Sequence, residues 1–126
     1  MKIYGIGTDI ISVGRINKSI KNKKILNRLF SKEEISRCGT LIQSKNCYAK
    51  RFAAKEAFSK ALGTGITNGI NFNEIIVINK KNGKPFIKTA GKTKKIIKKK
   101  LGNKAKFFLS LSDEKNYAVA FVTISI

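Results

Sequence analysis

Alternation between apolar and small or polar residues marks the beginning of the chain, from Lys2 to Ser12. This pattern predicts a β-strand, because successive side chains of a strand point to opposite faces. One face of the strand would combine glycines with a carboxylate, and the glycines would leave room for a close approach. The residues on that face are Ile3, Gly5, Gly7, Asp9 and Ile11.

Helical spacing follows the strand. Between Val13 and Arg28 apolar residues recur at three- to five-residue steps, which predicts an amphipathic helix that breaks near Asn22. Ser31 and Glu34 form a capping-box pattern, which predicts a short helix from Lys32 to about Gly39. The polar face of the first helix is basic and carries Arg15, Lys18, Lys21, Lys24 and Arg28.

The longest predicted helix runs from Ser44 to Leu62, where alanines, lysines and aromatic residues have good helix propensity. Gly63 provides the stop. Three- and four-residue steps place several of its residues on one stripe, which is apolar apart from a carboxylate and a lysine. The stripe consists of Ala49, Phe52, Ala53, Glu56 and Lys60.

The second half of the chain alternates between strands and one helix. Strands are predicted at 74–79 and 85–88 around an Asn82-Gly83 turn, and at 106–112 and 116–125 around a turn at 113–115. A lysine-dense helix is predicted at about 92–101. The order of elements indicates an α+β fold, and the length indicates one domain over residues 1–126.

Composition narrows the chemistry. The chain has 126 residues, 27 of them basic and 7 acidic, so that its formal net charge is +20. Such a charge favours an anionic partner or substrate, although a lysine run is often only a solvated surface. The chain contains no histidine. This absence excludes a Ser-His-Asp triad, a histidine general base and histidine-ligated metal sites.

Cys38 and Cys47 are too few for a disulfide framework and lack the spacing of a zinc site, so we expect reduced thiols and a cytoplasmic protein. The first residues reach a glycine and an aspartate before an apolar stretch develops, which predicts no signal peptide. No apolar run is long enough to span a membrane.

Asp9 is unusual because aspartate is depleted in strands. It could cap the helix that begins near Val13, or it could be a metal ligand. Glu56 also has two possible roles: it could be a metal ligand, or it could form an exposed i,i+4 ion pair with Lys60 that only stabilises the helix. Together the two carboxylates are hard oxygen ligands, with no histidine or thiolate beside them in the sequence. Such a ligand set suits Mg²⁺, which would complete its shell with water and substrate phosphates. Lys60 and the glycines at 63 and 65 could cradle a phosphate, or the glycines could simply end the helix.

Residues 5–10 (GIGTDI), 51–61 (RFAAKEAFSKA) and 63–66 (GTGI) closely resemble motifs of the holo-acyl-carrier-protein synthase family of 4′-phosphopantetheinyl transferases. Residues 82–85 (NGKP) and 109–112 (LSLS) also match, so that the resemblance spans nearly the whole chain. The family implies an α+β enzyme that transfers phosphopantetheine from coenzyme A to a serine of apo acyl carrier protein. The other product is adenosine 3′,5′-bisphosphate, and the reaction supports fatty acid biosynthesis.

The resemblance also implies roles for individual residues. Asp9 and Glu56 match the Mg²⁺ ligands, and Lys60 matches a lysine that meets the pyrophosphate. The serine needs a base, for which Glu56 or a metal-bound water is a candidate. The family further implies a homotrimer with sites between subunits. The positions that match the coenzyme A site are Arg51, Phe52, Lys60, Gly63, Thr64, Gly65, Gly83, Lys84, Pro85 and Ser110.

The basic strip on the first helix, defined by Arg15, Lys18, Lys21, Lys24 and Arg28, would then dock the acidic carrier protein. One position departs from the family, because Asp113 stands where most members have histidine. This departure affects the expected affinity for coenzyme A but not the type of reaction, and Asp113 could instead open the turn before Glu114.

Two other functions compete with this interpretation. The segment 92–106 could bind nucleic acid through its lysines, but it has few aromatic residues for base stacking, and Phe107 and Phe108 are predicted to be core. The helix at 92–101 could lie on a membrane surface, but few of its apolar residues could insert. We therefore expect neither a nucleic-acid partner nor a membrane.

Overall fold

The computed structural model describes residues 1–42, 44–64 and 69–126. Helices and strands alternate within these ranges much as the sequence predicts. The elements are β1 (Ile3–Ser12), α1 (Val13–Ser19), α2 (Lys23–Leu29), α3 (Lys32–Gly39), α4 (Ser44–Leu62), a 3₁₀ turn (Phe72–Glu74), β2 (Ile75–Asn79), β3 (Pro85–Thr89), α5 (Gly91–Leu101), β4 (Lys106–Asp113) and β5 (Tyr117–Ser125).

The strands form two antiparallel sheets, which confirms the α+β class. One sheet has three strands in the order β1-β5-β4, and the other is the β2-β3 hairpin. The central strand β5 aligns Ala120 with Asp9 on one side and with Leu111 on the other. The register shifts between Ile3 and Gly5, so Ile3 leaves the alternation and is exposed.

Helix α4 lies across the three-stranded sheet and forms the centre of the hydrophobic core. Its small residues Ala53, Ala57 and Ala61 are buried, together with Phe58. They contact the inward residues of β5, whose alternation of buried and exposed positions follows the strand period. The buried residues of β5 in this cluster are Ala120, Val122 and Ile124.

Two glycines of β1 allow α4 to approach this closely. A Cβ at Gly5 would overlap the carbonyl oxygen of Ala61, and a Cβ at Gly7 would overlap that of Ala57. A Cβ at Gly7 would also lie 2.8 Å from the backbone nitrogen of Ala61. The two glycines therefore make room for the backbone of α4.

The helix starts follow the expected capping rules. Ser12 accepts from the backbone N–H of Arg15 and caps α1, and Asn22 caps α2, which confirms the break near Asn22. The capping box also forms, because Ser31 accepts from the N–H of Glu34 at 3.2 Å while the Glu34 carboxylate accepts from the N–H of Ser31 at 2.9 Å.

Glu34 has a second role in a buried ion pair with Lys55 of α4, at 2.6 Å. The Lys55 ammonium also donates to the carbonyls of Phe72 and Ile75, and Glu34 also accepts from the backbone N–H of Val77. Burial lowers the pKa of Lys55, whereas Glu34 raises it. Because every polar atom of the pair is matched, the network joins α3, α4 and β2 at low cost.

The expectation of two reduced thiols is wrong for this structure, because Cys38 and Cys47 form a disulfide. Cys38 lies in the last turn of α3 and Cys47 in the first turn of α4, and the contact between these two turns places the Cα atoms of the cysteines 5.5 Å apart. The sequence spacing alone could not show this contact.

Gly7→Ala should lower the free energy of unfolding by about 1–3 kcal/mol, because the new methyl group forces β1 and α4 apart. Gly39→Ala is the matched control, since a Cβ there meets nothing within 4 Å. Urea denaturation of both variants measures the difference. Equal midpoints for Gly7→Ala and Gly39→Ala would contradict the close-approach explanation.

Candidate active site

Asp9 and Lys60 come together where β1 passes α4. The ammonium Nζ of Lys60 lies 3.1 Å from Oδ1 of Asp9 and donates to the carbonyl of Thr8 at 2.9 Å. The side chain of Asp9 is 17% exposed and that of Lys60 is 55% exposed. The Asp9 end of the pair is therefore largely buried against protein, and the Lys60 end is open to solvent.

Glu56 joins this pair because it lies one helical turn before Lys60. Burial raises the pKa of Glu56, the negative charge of Asp9 raises it further, and Lys60 partly opposes both effects. Asp9 is therefore close enough to Glu56 for the two carboxylates to repel each other. Asp9 and Glu56, which are distant in sequence, therefore lie near each other within a single chain.

This arrangement suits a divalent cation. Within the described ranges, no cluster of three or more His, Cys, Asp or Glu side chains could hold a metal ion. Mg²⁺ commonly uses one or two carboxylates and completes its shell with water and phosphate oxygens. A repelling carboxylate pair next to a lysine matches that donor set, because a cation relieves the repulsion.

A cavity of about 620 Å³ opens beside Glu56. Arg28 of the basic strip and Glu56 both line it, so the cavity connects the two features. Its other described lining residues come from α2, α4 and the segment around the 3₁₀ turn. They are Leu29, Phe52, Ile70, Asn71, Phe72, Asn73 and Glu74.

The alternative explanations for the two carboxylates do not match this geometry. The cap of α1 is Ser12 and not Asp9. The Lys60 ammonium pairs with Asp9, and among the described side chains no ion pair joins it to Glu56. Asp9 therefore does not cap α1, and Glu56 does not form the exposed ion pair with Lys60 that would stabilise α4.

Arg51 and Phe52 precede Glu56 on α4, but they point into the protein. Arg51 is 3% exposed, and its guanidinium donates to Cys47 and to Asn79. Burial lowers the pKa of Arg51, and Glu34 opposes this effect. Phe52 packs edge-on against Phe72 and lines the cavity beside Glu56. A contact of Arg51 with coenzyme A stays a prediction.

Gly63 follows α4 with a φ of +79°, which glycine adopts readily, and its N–H donates to the carbonyl of Lys60. Thr64 comes next, and Gly65 lies outside the described residues. The glycine therefore ends the helix directly beside Lys60. A phosphate contact at 63–65 stays a prediction.

The predicted hairpin loop at residues 80–84 is present. Gly83 has a φ of +88°, and Asn82 accepts from the N–H of Lys84. Asn79 donates to the carbonyl of Gly83 at 2.9 Å and accepts from Arg51, so it connects this loop to α4. Asn79 was not among the predicted site residues; an amide at a strand end before an Asn-Gly turn is the signal that could have found it.

Ser110 and Asp113 lie on β4, away from Asp9. Ser110 alternates with the inward residues of its strand and is exposed on the outer face of the sheet, whereas Asp9 faces α4. Asp113 lies 3.5 Å from the Lys50 ammonium and accepts from Asn46 at 2.9 Å. Its charge is thus partly neutralised, which limits the effect expected on the affinity for coenzyme A.

The basic strip is exposed at all five positions, from Arg15 on α1 to Arg28 on α2. Of the two phenylalanines expected in the core, Phe107 packs on Phe58, but Phe108 is exposed on the outer face of the sheet. In the described part of the chain, no helix is both long and apolar enough to cross a membrane.

Strand β1 and helix α4 thus present two carboxylates and a lysine at one open site. This arrangement suits an enzyme that performs phosphoryl chemistry. The 4′-phosphopantetheinyl transferase superfamily matches residues 5–122 of this chain. A holo-[acyl-carrier-protein] synthase of Pelagibacter ubique is 51% identical over 125 residues, covering 98% of each chain.

Solved structures agree with this match. The holo-[acyl-carrier-protein] synthase of Neisseria meningitidis superimposes with a TM-score of 0.87 at 37% identity, covering 98% of this chain and 99% of that one. The enzyme of Bacillus anthracis, in complex with coenzyme A (3′,5′-ADP), gives a TM-score of 0.81 at 36% identity, covering 98% and 97%. The chain belongs to the holo-acyl-carrier-protein synthase family of phosphopantetheinyl transferases.

Proposed function

We propose that this enzyme transfers 4′-phosphopantetheine from coenzyme A to a serine of apo acyl carrier protein in a Mg²⁺-dependent reaction. Adenosine 3′,5′-bisphosphate is the second product. The observation that carries the proposal is the convergence of Asp9, Glu56 and Lys60 at one open site. The Bacillus anthracis relative with coenzyme A (3′,5′-ADP) supports the choice of substrate.

Asp9 and Glu56 would hold Mg²⁺, which supplies a Lewis acid for the pyrophosphate when bound. Lys60 is placed to neutralise charge on the same group, because its ammonium lies beside Asp9 and is more than half exposed. Phosphoryl transfer depends mainly on such positioning and charge stabilisation.

The acceptor serine must lose its proton as its oxygen attacks the β-phosphoryl group. Glu56 is the candidate among the protein side chains to take that proton, because it lines the cavity that Arg28 shares. A carrier protein on the basic strip could therefore present its serine beside Glu56. The bond between the β-phosphorus and the bridging oxygen breaks, and the bisphosphate leaves.

Asp9→Asn and Glu56→Gln should each reduce transfer by at least about 100-fold, the scale expected for losing a charge-stabilising or proton-accepting group. Mass spectrometry of apo carrier protein incubated with coenzyme A and Mg²⁺ measures the phosphopantetheine gain. Glu33→Gln is the matched control, because Glu33 forms only an exposed ion pair with Lys88. Circular dichroism verifies that each variant is folded.

Normal turnover in either site variant would refute the carboxylate assignment. A wild-type enzyme that adds no phosphopantetheine mass to any carrier protein would refute the proposed reaction itself. Chelation should stop the reaction, and added Mg²⁺ should restore it.

The basic strip is the proposed docking surface for the acidic carrier protein. The double variant Lys18→Glu/Lys21→Glu should raise KM for the carrier roughly tenfold, while kcat stays nearly constant, because docking depends on charge complementarity. Lys95→Glu/Lys99→Glu, on the exposed face of α5, makes the same charge change elsewhere. Steady-state kinetics at low and high salt compares the two, and equal effects would argue against a specific strip.

We also propose that the enzyme is a homotrimer. The outer face of the three-stranded sheet exposes several large apolar side chains, and such a patch commonly marks an interface. Within the described ranges these include Ile6, 56% exposed, and Ile10, 65% exposed, on β1. The others on this face are Tyr4, Phe108, Tyr117, Val119 and Phe121.

Phe121→Lys should convert the trimer to monomers of 14.0 kDa, because it places a charge at the middle of this face. Ile42→Lys is the control, since Ile42 is fully exposed and lies outside the sheet. Light scattering reads the mass directly. A wild-type protein that sediments and scatters as a monomer would overturn the trimer.

We propose that the enzyme acts in the cytoplasm, where it would support fatty acid biosynthesis. Nucleic-acid and membrane partners are not part of this proposal. The lysines of α5 are exposed, as on a solvated helix face.

A further inference from the structure

The Cys38–Cys47 pair lies beside a buried cation. Cys38 is 0% exposed and Cys47 is 4% exposed, and Arg51 follows Cys47 by one turn of α4. Its guanidinium Nη1 donates to Sγ of Cys47 at 3.2 Å. A sulfur atom in a disulfide is only a weak acceptor for such a donor.

The charge of Arg51 has no anion in hydrogen-bond contact among the described residues. Nη1 and Nη2 reach neutral acceptors on Cys47 and Asn79, and Nε has no acceptor at all. The nearby carboxylate of Glu34 is occupied, because it accepts from Lys55 and from two backbone N–H groups. A buried charge without a paired anion is costly.

Reduction of the disulfide would supply the missing anion. A cation in contact with a cysteine favours the thiolate over the thiol, and a thiolate accepts hydrogen bonds more strongly than a disulfide sulfur. We propose that Cys38 and Cys47 form a reversible redox site, in which Arg51 stabilises Cys47 as a thiolate in the reduced protein and transmits the redox state to the hairpin loop at residues 80–84.

The transmission follows a continuous chain of hydrogen bonds. Nη2 of Arg51 donates to Oδ1 of Asn79 at 2.8 Å, and Nδ2 of Asn79 donates to the carbonyl of Gly83 at 2.9 Å. A Cys47 thiolate attracts the guanidinium through Nη1, and the resulting shift of the guanidinium toward Cys47 lengthens the bond from Nη2 to Asn79. The oxidised protein therefore holds the loop more firmly than the reduced protein does.

The oxidation requires a small oxidant, because Cys47 is almost completely buried, and a peroxide meets that requirement. The Cys47 thiolate attacks one peroxide oxygen; the S–O bond forms, the O–O bond breaks, and the released hydroxide is neutralised to water by a proton from the buffer, leaving a sulfenic acid. The sulfur of Cys38 then attacks Cys47; the S–S bond forms, the S–O bond breaks, and the proton of Cys38 leaves with the hydroxyl group as water. A dithiol returns both electrons and restores the two thiols.

Ultraviolet thiolate absorbance of the full-length Cys38→Ser variant at neutral pH tests the role of Arg51 without requiring access to the sulfur. We expect a thiolate band in this variant, loss of the band in Cys38→Ser/Arg51→Met, and its retention in Cys38→Ser/Arg51→Lys. Circular dichroism of all three shows whether they are folded. Absence of the band in a folded Cys38→Ser variant overturns the proposal.

Mass spectrometry tests reversibility and transmission in the wild-type chain. Alkylation after denaturation should find both cysteines blocked in protein treated with hydrogen peroxide and both available in protein treated with dithiothreitol. Hydrogen exchange at residues 80–84 should be roughly threefold to tenfold faster in the reduced protein, the factor that corresponds to losing one hydrogen bond. The Cys38→Ser/Cys47→Ser variant should show no response, and equal exchange in both wild-type states overturns the transmission.

The consequence for coenzyme A rests on the proposed function and on the family motif that matches Gly83, Lys84 and Pro85 to the coenzyme A site. Reduction should then raise KM for coenzyme A by a similar factor, and the double serine variant should not respond. If the enzyme transfers no phosphopantetheine in either state, the proposed function fails, whereas absorbance, alkylation and hydrogen exchange still decide the redox site. Transfer with identical KM values in both states overturns the link to the substrate.

Discussion

The close approach of β1 to α4 is the constraint on which the rest of the structure depends. Gly5 and Gly7 lack the Cβ atoms that would collide with carbonyl oxygens of the helix, and the alanines of α4 are small on the facing side. Because the next inward position of the strand is Asp9, the same alternation that permits the contact also delivers a carboxylate to the helix. Packing and chemistry therefore share one strand face.

The orientation of α4 about its own axis is controlled by a second contact. Lys55 is buried against Glu34 and two carbonyls, whereas its neighbour Glu56 must point about 100° away around the helix. The ion pair thus turns Glu56 toward Asp9 and the cavity. Within one six-residue stretch of α4, Lys55 stabilises the fold, and Glu56 and Lys60 belong to the site.

Local features were predictable because they depend on neighbours in sequence. The capping box of Ser31, the end of α4 at Gly63 and the Asn82-Gly83 turn each follow from a few adjacent residues. The disulfide, the pairing of Glu34 with Lys55 and the role of Asn79 were not predictable, because they join elements that meet only after folding. Asp9 and Glu56 were matched through family motifs, and no periodicity of either segment could have placed them together.

The electrostatic environment of Glu56 is the least expected property of so basic a chain. The chain has only seven acidic residues, and most of them are satisfied: Asp9, Glu33, Glu34 and Asp113 form ion pairs, and the carboxylate of Glu74 accepts from the first turn of α5. With 27 basic residues available, an ion pair at Glu56 would be easy to provide, yet the described side chains place none there. Burial and the charge of Asp9 disfavour the ionised form of Glu56, and Lys60 opposes them only in part, so the net effect on its pKa is a rise that a bound cation would relieve. Because no described side chain forms an ion pair with Glu56, this carboxylate stays available to bind a ligand.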